Sequence, residues 1–216
     1  VGGGAIGAEM IAEAQRHARR VVAADGAADA LAELGLVPEA IIGDLDSLGD
    51  PGHWRRRGVA VHHLAEQDTT DFEKCLYATD APFYVAAGFT GRRLDHTLAV
   101  FHALLRYPEK RVVLLGEEDA VAALPAGRTV TVDLEVDARV SLFPLAPVAA
   151  EASAGLVWPL EGLTFAPGRT IGTSNRALAR RVSVRMSGPG TLLIVDRRFL
   201  GAMVAAVAAE PGFAGS

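Results

Sequence analysis

Cysteine is nearly absent: one, Cys75, stands in 216 residues. No disulfide can close within the chain, which suits a reducing compartment, and a cytoplasmic protein is expected. Its neighbours "FEKCLYA" have helical spacing, so the thiol reads as packing rather than nucleophile. Aromatic residues are also scarce, at 6%, and the core must come mostly from Ala, Val, Leu and Ile. No apolar run reaches the roughly 20 residues that span a bilayer. The best, "FLGAMVAAVAA" at 199–209, is too short, so no membrane partner is expected. No basic stretch leads into an apolar one as in a signal peptide. The chain opens on "VGGG" without a Met, as expected where a first strand is cut short. Basic excess is missing too: the formal net charge is −5. That argues against nucleic acid as the main partner, because phosphate backbones call for a basic surface. "RRR" at 55–57 reads as a solvated helix face. The spacings H-x-H, C-x-x-C and H-E-x-x-H do not occur, which removes the usual zinc sites.

Half of the residues are hydrophobic, enough for one large core or two small ones. Up to about residue 117 the chain alternates short apolar runs with helical patterns. "VVAAD" (21–25), "AIIGD" (40–44), "VAVHH" (59–63), "FYVAAG" (83–88) and "RVVLLG" (111–116) read as strands. Apolar residues in "AEMIAEAQRHARR", "ADALAELG", "DFEKCLYAT" and "LDHTLAVFHALLR" recur at three and four, as in helices. This alternation predicts an α/β N-terminal domain, 1–117, with a mostly parallel, Rossmann-like sheet covered on both faces. From 118 to 216 the runs shorten, several alternate with period two, and Gly, Pro and Asp interrupt them. "DAVAAL", "RTVTVDL", "ARVSLFPL", "GLVWPL", "RVSVRMS" and "GTLLIVD" predict an all-β sandwich domain. Helical periodicity returns only in about the last fifteen residues.

Ligands in open α/β sheets bind beyond the carboxyl ends of the strands. On that rule Asp25, Asp44, Asp46, Asp68, Asp71 and Asp95 collect at one sheet edge. Such a cluster repels itself unless cations or donors compensate. Oxygen-only ligands suit a hard cation, Mg²⁺, and Mg²⁺ in turn prefers carboxylates combined with substrate phosphates. Arg92 and Arg93 can pair with phosphate oxygens. "GGGAIG" (2–7) reads either as a phosphate cradle or as a plain strand-to-helix turn. Local readings compete. Thr70 and Glu73 in "TDFE" form a capping box, with Asp71 favouring the helix dipole. "GDLDS" (43–47) is open to a turn in which Asp46 or Ser47 caps a short helix. Asp95 also reads as an N-terminal helix charge, and His96 and His102 as packing or surface residues.

Four segments, "AADGAAD" (23–29), "IIGDLDSL" (41–48), "EQDTTDFEKCL" (66–76) and "GFTGRRLDHTLA" (88–99), resemble in order and spacing the motifs of the thiamine pyrophosphokinase family. "GLVWPLEGLTF" (155–165) and "GTSN" (172–175) look like that family's C-terminal motifs. The resemblance implies transfer of pyrophosphate from ATP to the hydroxyethyl group of thiamine, with AMP released. It implies a homodimer with the active site at the subunit interface. Carried over, Asp44, Asp46 and Asp71 hold Mg²⁺ and the triphosphate as the catalytic set. Asp25, Gly26, Gln67, Thr70, Arg93 and Asp95 lie at ATP. Gln67, Asp71, Trp158, Ser174 and Asn175 form the thiamine site. A tryptophan face suits a cationic thiazolium, although Trp158 out of this context reads as a core residue and "TSN" as an ordinary turn. Ala27 replaces a usual glycine and Glu66 a common aspartate. The rival readings are a pyrophosphokinase for another heteroaromatic alcohol, a Mg²⁺-dependent phosphatase with Asp44 as nucleophile and Asp46 as acid, and a non-enzymatic thiamine or nucleotide sensor.

Overall fold

A computed structural model describes residues 1–209. The chain divides into two compact units, Val1–Ala103 and a second beginning at Leu104. In the first, helices and strands alternate as α1 (Ala8–Gln15), β1 (Val22–Ala24), α2 (Ala27–Glu33), β2 (Ala40–Gly43), α3 (Pro51–Arg56), β3 (Ala60–His63), α4 (Asp71–Ala78), β4 (Tyr84–Ala87) and α5 (Leu94–Arg106). The division between the units falls within α5. Strands β1, β2 and β3 pair in parallel in that order, with Ala24 opposite Ile42 and Gly43 opposite His63. Ala23, Ala24, Ile41 and Ile42 are buried, as parallel strands covered on both faces should be. β3 departs from that expectation. It lies at the end of the three-stranded order and exposes Ala60, His62 and His63. Its imidazoles therefore keep their contact with water.

Residues 1–4 run beside these strands. Val1 O accepts from Ala24 N (2.8 Å), Gly2 N donates to Ala87 O (2.8 Å), and Gly4 N donates to Gly88 O (2.7 Å). Two amides of the glycine run are thus spent on the backbone at the end of β4 and just after it, which favours a strand-to-helix turn over a phosphate cradle at those positions.

In the second unit follow β5 (Val112–Leu115), β6 (Asp119–Leu124), β7 (Thr129–Asp133), β8 (Arg139–Pro144), β9 (Val148–Ala154), β10 (Thr164–Phe165), β11 (Gly172–Arg176), β12 (Arg181–Met186), β13 (Thr191–Asp196) and α6 (Leu200–Ala209). β5, read from sequence as a strand of the parallel sheet, pairs antiparallel with β6, Leu114 opposite Val121. A three-residue link between them, 116–118, is long enough for a hairpin and too short for a parallel crossover. Strands of this unit run β11-β8-β13-β6-β5 in one sheet and β10-β9-β12-β7 in another. In the latter, Val182 faces Val132 and Val184 faces Val130, all buried, while Thr129, Arg181 and Arg185 point outward. Opposed apolar pairs on one face fix this register. Asp119 and Asp196 stand directly opposite each other on β6 and β13. Arg139 from β8 compensates their repulsion, reaching Asp119 at 2.5 Å and Asp196 at 2.8 Å.

Two segments differ from their sequence reading. β9, "VAAEASA", is a strand despite alanines, which are depleted in strands; its ladders to β12 and β10 impose the conformation. "GLVWPL" is not a strand: Leu156 makes one isolated bridge to Ala177, and Pro159 lacks the donor a ladder needs. The apolar C-terminal segment packs on its own chain, α6 against β5, β6 and β7, with Leu200, Met203, Val204 and Val207 buried. Among the described residues no helix is long and apolar enough to cross a membrane.

Candidate active site

Asp25 follows β1 and Asp44 follows β2, so the parallel pairing of these strands puts both at one edge. Two non-glycine residues here have left-handed backbone, Asp25 with φ 47° and Leu45 with φ 65°. Such conformations cost on the order of 1–3 kcal/mol and persist where the surroundings enforce them. The approach is close: a Cβ on Gly43 would lie 2.8 Å from the Asp25 Cβ, and one on Gly26 would lie 2.7 Å from Ser47 O. Glycine at 26 and 43 is what lets the two strand ends meet. Ser47 locks the arrangement. Its N–H donates to Asp25 Oδ2 (3.2 Å) and its Oγ accepts from Gly26 N (3.1 Å). Ser47 is therefore no helix cap. The cap of α3 is Asp50, which accepts from Gly52 N at 2.8 Å, with Pro51 following it. Aspartate before a proline at the first helical position was the available signal.

Asp25, Asp44 and Asp46 converge. One carboxylate oxygen of each lies within 4.8 Å of the others. Asp25 is buried, and its Oδ1 has no hydrogen-bond partner. Asp44 accepts from Gln67 Nε2 at 2.8 Å and from Asp46 N at 3.3 Å. The Gln67 bond, ahead of Lys74's charge, holds Asp44 down at about 2.

Helix α4 supplies the facing groups. Its capping box forms as the sequence indicates: Thr70 Oγ accepts from Glu73 N (3.3 Å), and Thr70 N donates to Glu73 Oε2 (3.0 Å). The box places Asp71 in the first turn and Lys74 three residues on, on the same face. Lys74 Nζ lies 3.5 Å from Asp71 Oδ1 and 3.5 Å from Asp44 Oδ2, and only 2% of its side chain is exposed. Burial lowers the ammonium's pKa, but the two carboxylates outweigh burial and raise it overall. Burial likewise pushes Asp71 up, against the opposing pull of Lys74. Asp71, expected among the cation's ligands, thus faces Lys74, and Asp25, expected beside ATP, stands in the three-carboxylate group. Lys74 itself was missed from sequence. The signal was a lysine between Phe72 and Leu76 on a helix face that otherwise buries.

Other expected members lie apart from this group. Asp68 is exposed, and its N–H donates to Glu66 Oε2 at 2.9 Å. Glu66 gathers its own loop, accepting also from Thr69 N (3.0 Å), the Thr69 hydroxyl and Tyr77 Oη (2.8 Å); these bonds, the Thr69 hydroxyl first, hold it at about 2. Asp95 forms a two-pronged pair with Arg93, at 3.1 and 2.6 Å, on the exposed start of α5. Arg92 donates to Gly3 O. Cys75 is a packing thiol, pushed up to about 11 by burial.

In the second unit, Trp158 is 54% exposed, so it is not a core residue. Asn175 is buried, and it clamps the Trp158 backbone: its Oδ1 accepts from Trp158 N (3.2 Å) and its Nδ2 donates to Trp158 O (2.7 Å). These bonds replace strand partners for Trp158, while Val157 N donates to Arg176 O at 2.9 Å, which explains an exposed indole on a fixed backbone. Ser174, at φ 62°, donates its N–H to Ser141 Oγ (3.0 Å) within the irregular pairing of β11 with β8. The Arg176 guanidinium lies over the indole, 5.6 Å from the ring centroid.

The pKa directions give a pH prediction. Burial raises Asp25 and Asp71. Their contribution to stability is full below about pH 4 and is lost as pH rises through their folded values. Asp44 and Glu66, lowered to about 2, stabilise above about pH 4 and lose that contribution as pH falls toward 2. In chelator, the thermal midpoint of Asp25→Asn should therefore exceed the parent's at neutral pH, with the gap closing as pH falls through the folded value of Asp25, and Mg²⁺ should stabilise the parent more than the variant. A gap that does not close as pH falls contradicts the assignment.

The sequence profile of the thiamin pyrophosphokinase catalytic domain matches residues 11–115, and that of the thiamin pyrophosphokinase vitamin B1 binding domain matches 128–189. Thiamine pyrophosphokinase 1 of Arabidopsis thaliana is 28% identical over 170 residues, 68% of this chain and 61% of that protein. The chain thus spans about three fifths of that relative's length. The structure of thiamin pyrophosphokinase from Candida albicans shares the fold, with a TM-score of 0.77 at 17% identity over 91% of this chain and 87% of that one. Thiamin pyrophosphokinase from Geobacillus thermodenitrificans superposes with a TM-score of 0.67 at 26% identity, covering 81% and 84%. With both domain profiles matched in order along one sequence, the chain belongs to the thiamin pyrophosphokinase family.

Proposed function

We propose that the chain transfers the pyrophosphoryl group of ATP to the hydroxyethyl oxygen of thiamine, giving thiamine diphosphate and AMP. The observation that carries this reading is the meeting of Asp25, Asp44 and Asp46 at two strand ends, in a chain that matches both domains of the family. The group fits Mg²⁺: its donors are all oxygen, and the buried Asp25 Oδ1 lacks any other partner. Asp44 and Asp46, with Asp25, would hold the ion. Bound there, it would neutralise phosphate charge on ATP.

The residues have separable roles in this reading. The thiamine hydroxyl oxygen bonds to the β-phosphorus of ATP, the bond from that phosphorus to the α,β-bridging oxygen breaks, and AMP leaves with the oxygen. Asp71, with its raised pKa, orients the hydroxyl and is suited to take its proton. Gly26, Gln67, Thr70, Arg93 and Asp95 bind ATP; Arg93 adds positive charge at the transferring group. Trp158 stacks on thiamine, Ser174 and Gln67 each bind thiamine, and Asn175 acts through the Trp158 backbone it holds. Residues 1–117 form the Rossmann-like ATP-binding domain and 118–216, of which 210–216 lie outside the described residues, the thiamine-binding β-sandwich domain. The assembly is a homodimer with its active site at the subunit interface, and the location is cytoplasmic. Exposed Leu94 and Leu98 on α5 and Ile171 and Leu178 in the second unit offer apolar surface for pairing.

An acceptor panel tests the substrate. AMP release from ATP should require Mg²⁺ and thiamine, and other heteroaromatic alcohols should support it poorly. Equal turnover with another alcohol transfers the assignment to that acceptor. Trp158→Ala should raise the KM for thiamine about 10-fold while kcat changes less than about 2-fold, because it removes stacking that ground and transition states share. An unchanged KM removes Trp158 from the site.

A further inference from the structure

A lysine side chain as buried as that of Lys74 is rare unless it is paired. Lys74 is paired twice, with Asp44 from the end of β2 and with Asp71 on its own helix, each at 3.5 Å. Both distances exceed those of tight charge-assisted bonds. Asp44 also belongs to the three-carboxylate group with Asp25 and Asp46. Asp44 therefore stands between two places for positive charge, and one of them is already filled by the protein.

We propose that Lys74 is the built-in cation of the acidic cup: its ammonium occupies the Asp44–Asp71 side, holding these two carboxylates in place, and leaves the protein a single divalent-cation site on the Asp25–Asp44–Asp46 side. The inference rests on the cation reading of that group and is independent of whether thiamine is the acceptor. Geometry supports it from both directions. Asp71 is drawn toward Lys74 and is not among the three converging carboxylates. The unpartnered Oδ1 belongs to Asp25, whereas the ammonium's two carboxylate partners are Asp44 and Asp71. Lys74 is a positioning residue in this scheme, acting on ATP and thiamine only through Asp44 and Asp71.

The consequence is a reciprocal dependence between Lys74 and Mg²⁺. Removing the ammonium leaves Asp44 and Asp71 facing each other, so the variant should need an external cation more than the parent does. Thermal unfolding of the whole chain, with Mg²⁺ alone as the probe and NaCl at matched ionic strength as the control, reads this directly. Lys74→Met should lower the midpoint in chelator by about 5–10 °C. Mg²⁺ should then raise the variant's midpoint at least twice as far as it raises that of the parent. A Lys74→Met chain that folds only with Mg²⁺ supports the proposal equally. Lys74→Arg keeps the charge and should respond to Mg²⁺ like the parent. Lys74→Met stabilised no more than the parent, or unfolded with and without Mg²⁺, overturns the proposal while leaving the cation site standing. No Mg²⁺ response in either chain overturns the cation site and the proposal together.

Discussion

Asp46→Ala is expected to reduce Mg²⁺-dependent AMP formation by about 10²–10³-fold, the scale of losing one group that stabilises charge in a transition state. The substitution is unusually clean. Asp46 is exposed, and the hydrogen bond it gives to Asp44 comes from its backbone N–H, which alanine retains. The turn between β2 and α3 should therefore survive, with a thermal midpoint within about 2 °C of the parent in the absence of Mg²⁺. What changes is one of three oxygens that can close on a cation. Mg²⁺ titration should show weaker activation in the same variant. Full turnover at unchanged Mg²⁺ concentration would remove Asp46 from the site and leave Asp25 and Asp44 as a structural pair.

The second large effect is on stability. Gly155 follows β9 at φ 73°, and a Cβ placed on it would lie 2.2 Å from Arg181 O at the start of β12. No side chain yields there; backbone must move. Gly155 O also accepts from Leu178 N at 2.7 Å, which ties the turn leading to Trp158 to the segment after β11. Gly155→Ala should destabilise the chain by roughly 3 kcal/mol or more, combining a left-handed alanine with an overpacked contact. Chemical denaturation measures it. Because the displaced turn carries Trp158, the thiamine KM should rise in any folded fraction while Mg²⁺ still stabilises it. A loss below about 1 kcal/mol would mean that the β9–β12 junction is less tightly packed than its geometry indicates.

What could be read in the sequence follows the range of the interactions. The capping box of Thr70 and Glu73 closes over three residues, so its pattern is visible in "TDFE" and the bonds are present. The alternation of strands and helices places Asp25 and Asp44 beyond strand ends, and parallel pairing of β1 with β2 brings them together. Lys74 was different. Its pairing with Asp44 spans thirty residues, and nothing local distinguishes an ammonium aimed at a distant carboxylate from one on a solvated face. The second neighbour of β5 was hidden for a related reason. "RVVLLG" is apolar throughout, which fits a covered strand, and only the short link to β6 reveals that the next strand along pairs with it as a hairpin. Trp158 shows the limit of periodicity alone. "GLVWPL" has strand composition, yet the Trp158 backbone is satisfied by the Asn175 side chain. That substitution of side chain for ladder appears only when β11 is in place.

The central claim is a single transfer of two phosphoryl units, and product stoichiometry tests it most directly. The purified chain is incubated with ATP, Mg²⁺ and thiamine, and phosphorus NMR follows the nucleotides and thiamine esters together. The account predicts thiamine diphosphate and AMP appearing in equal amounts, with neither ADP nor thiamine monophosphate accumulating. ADP formed together with thiamine monophosphate would contradict it, because that pattern means transfer of one phosphoryl group at a time.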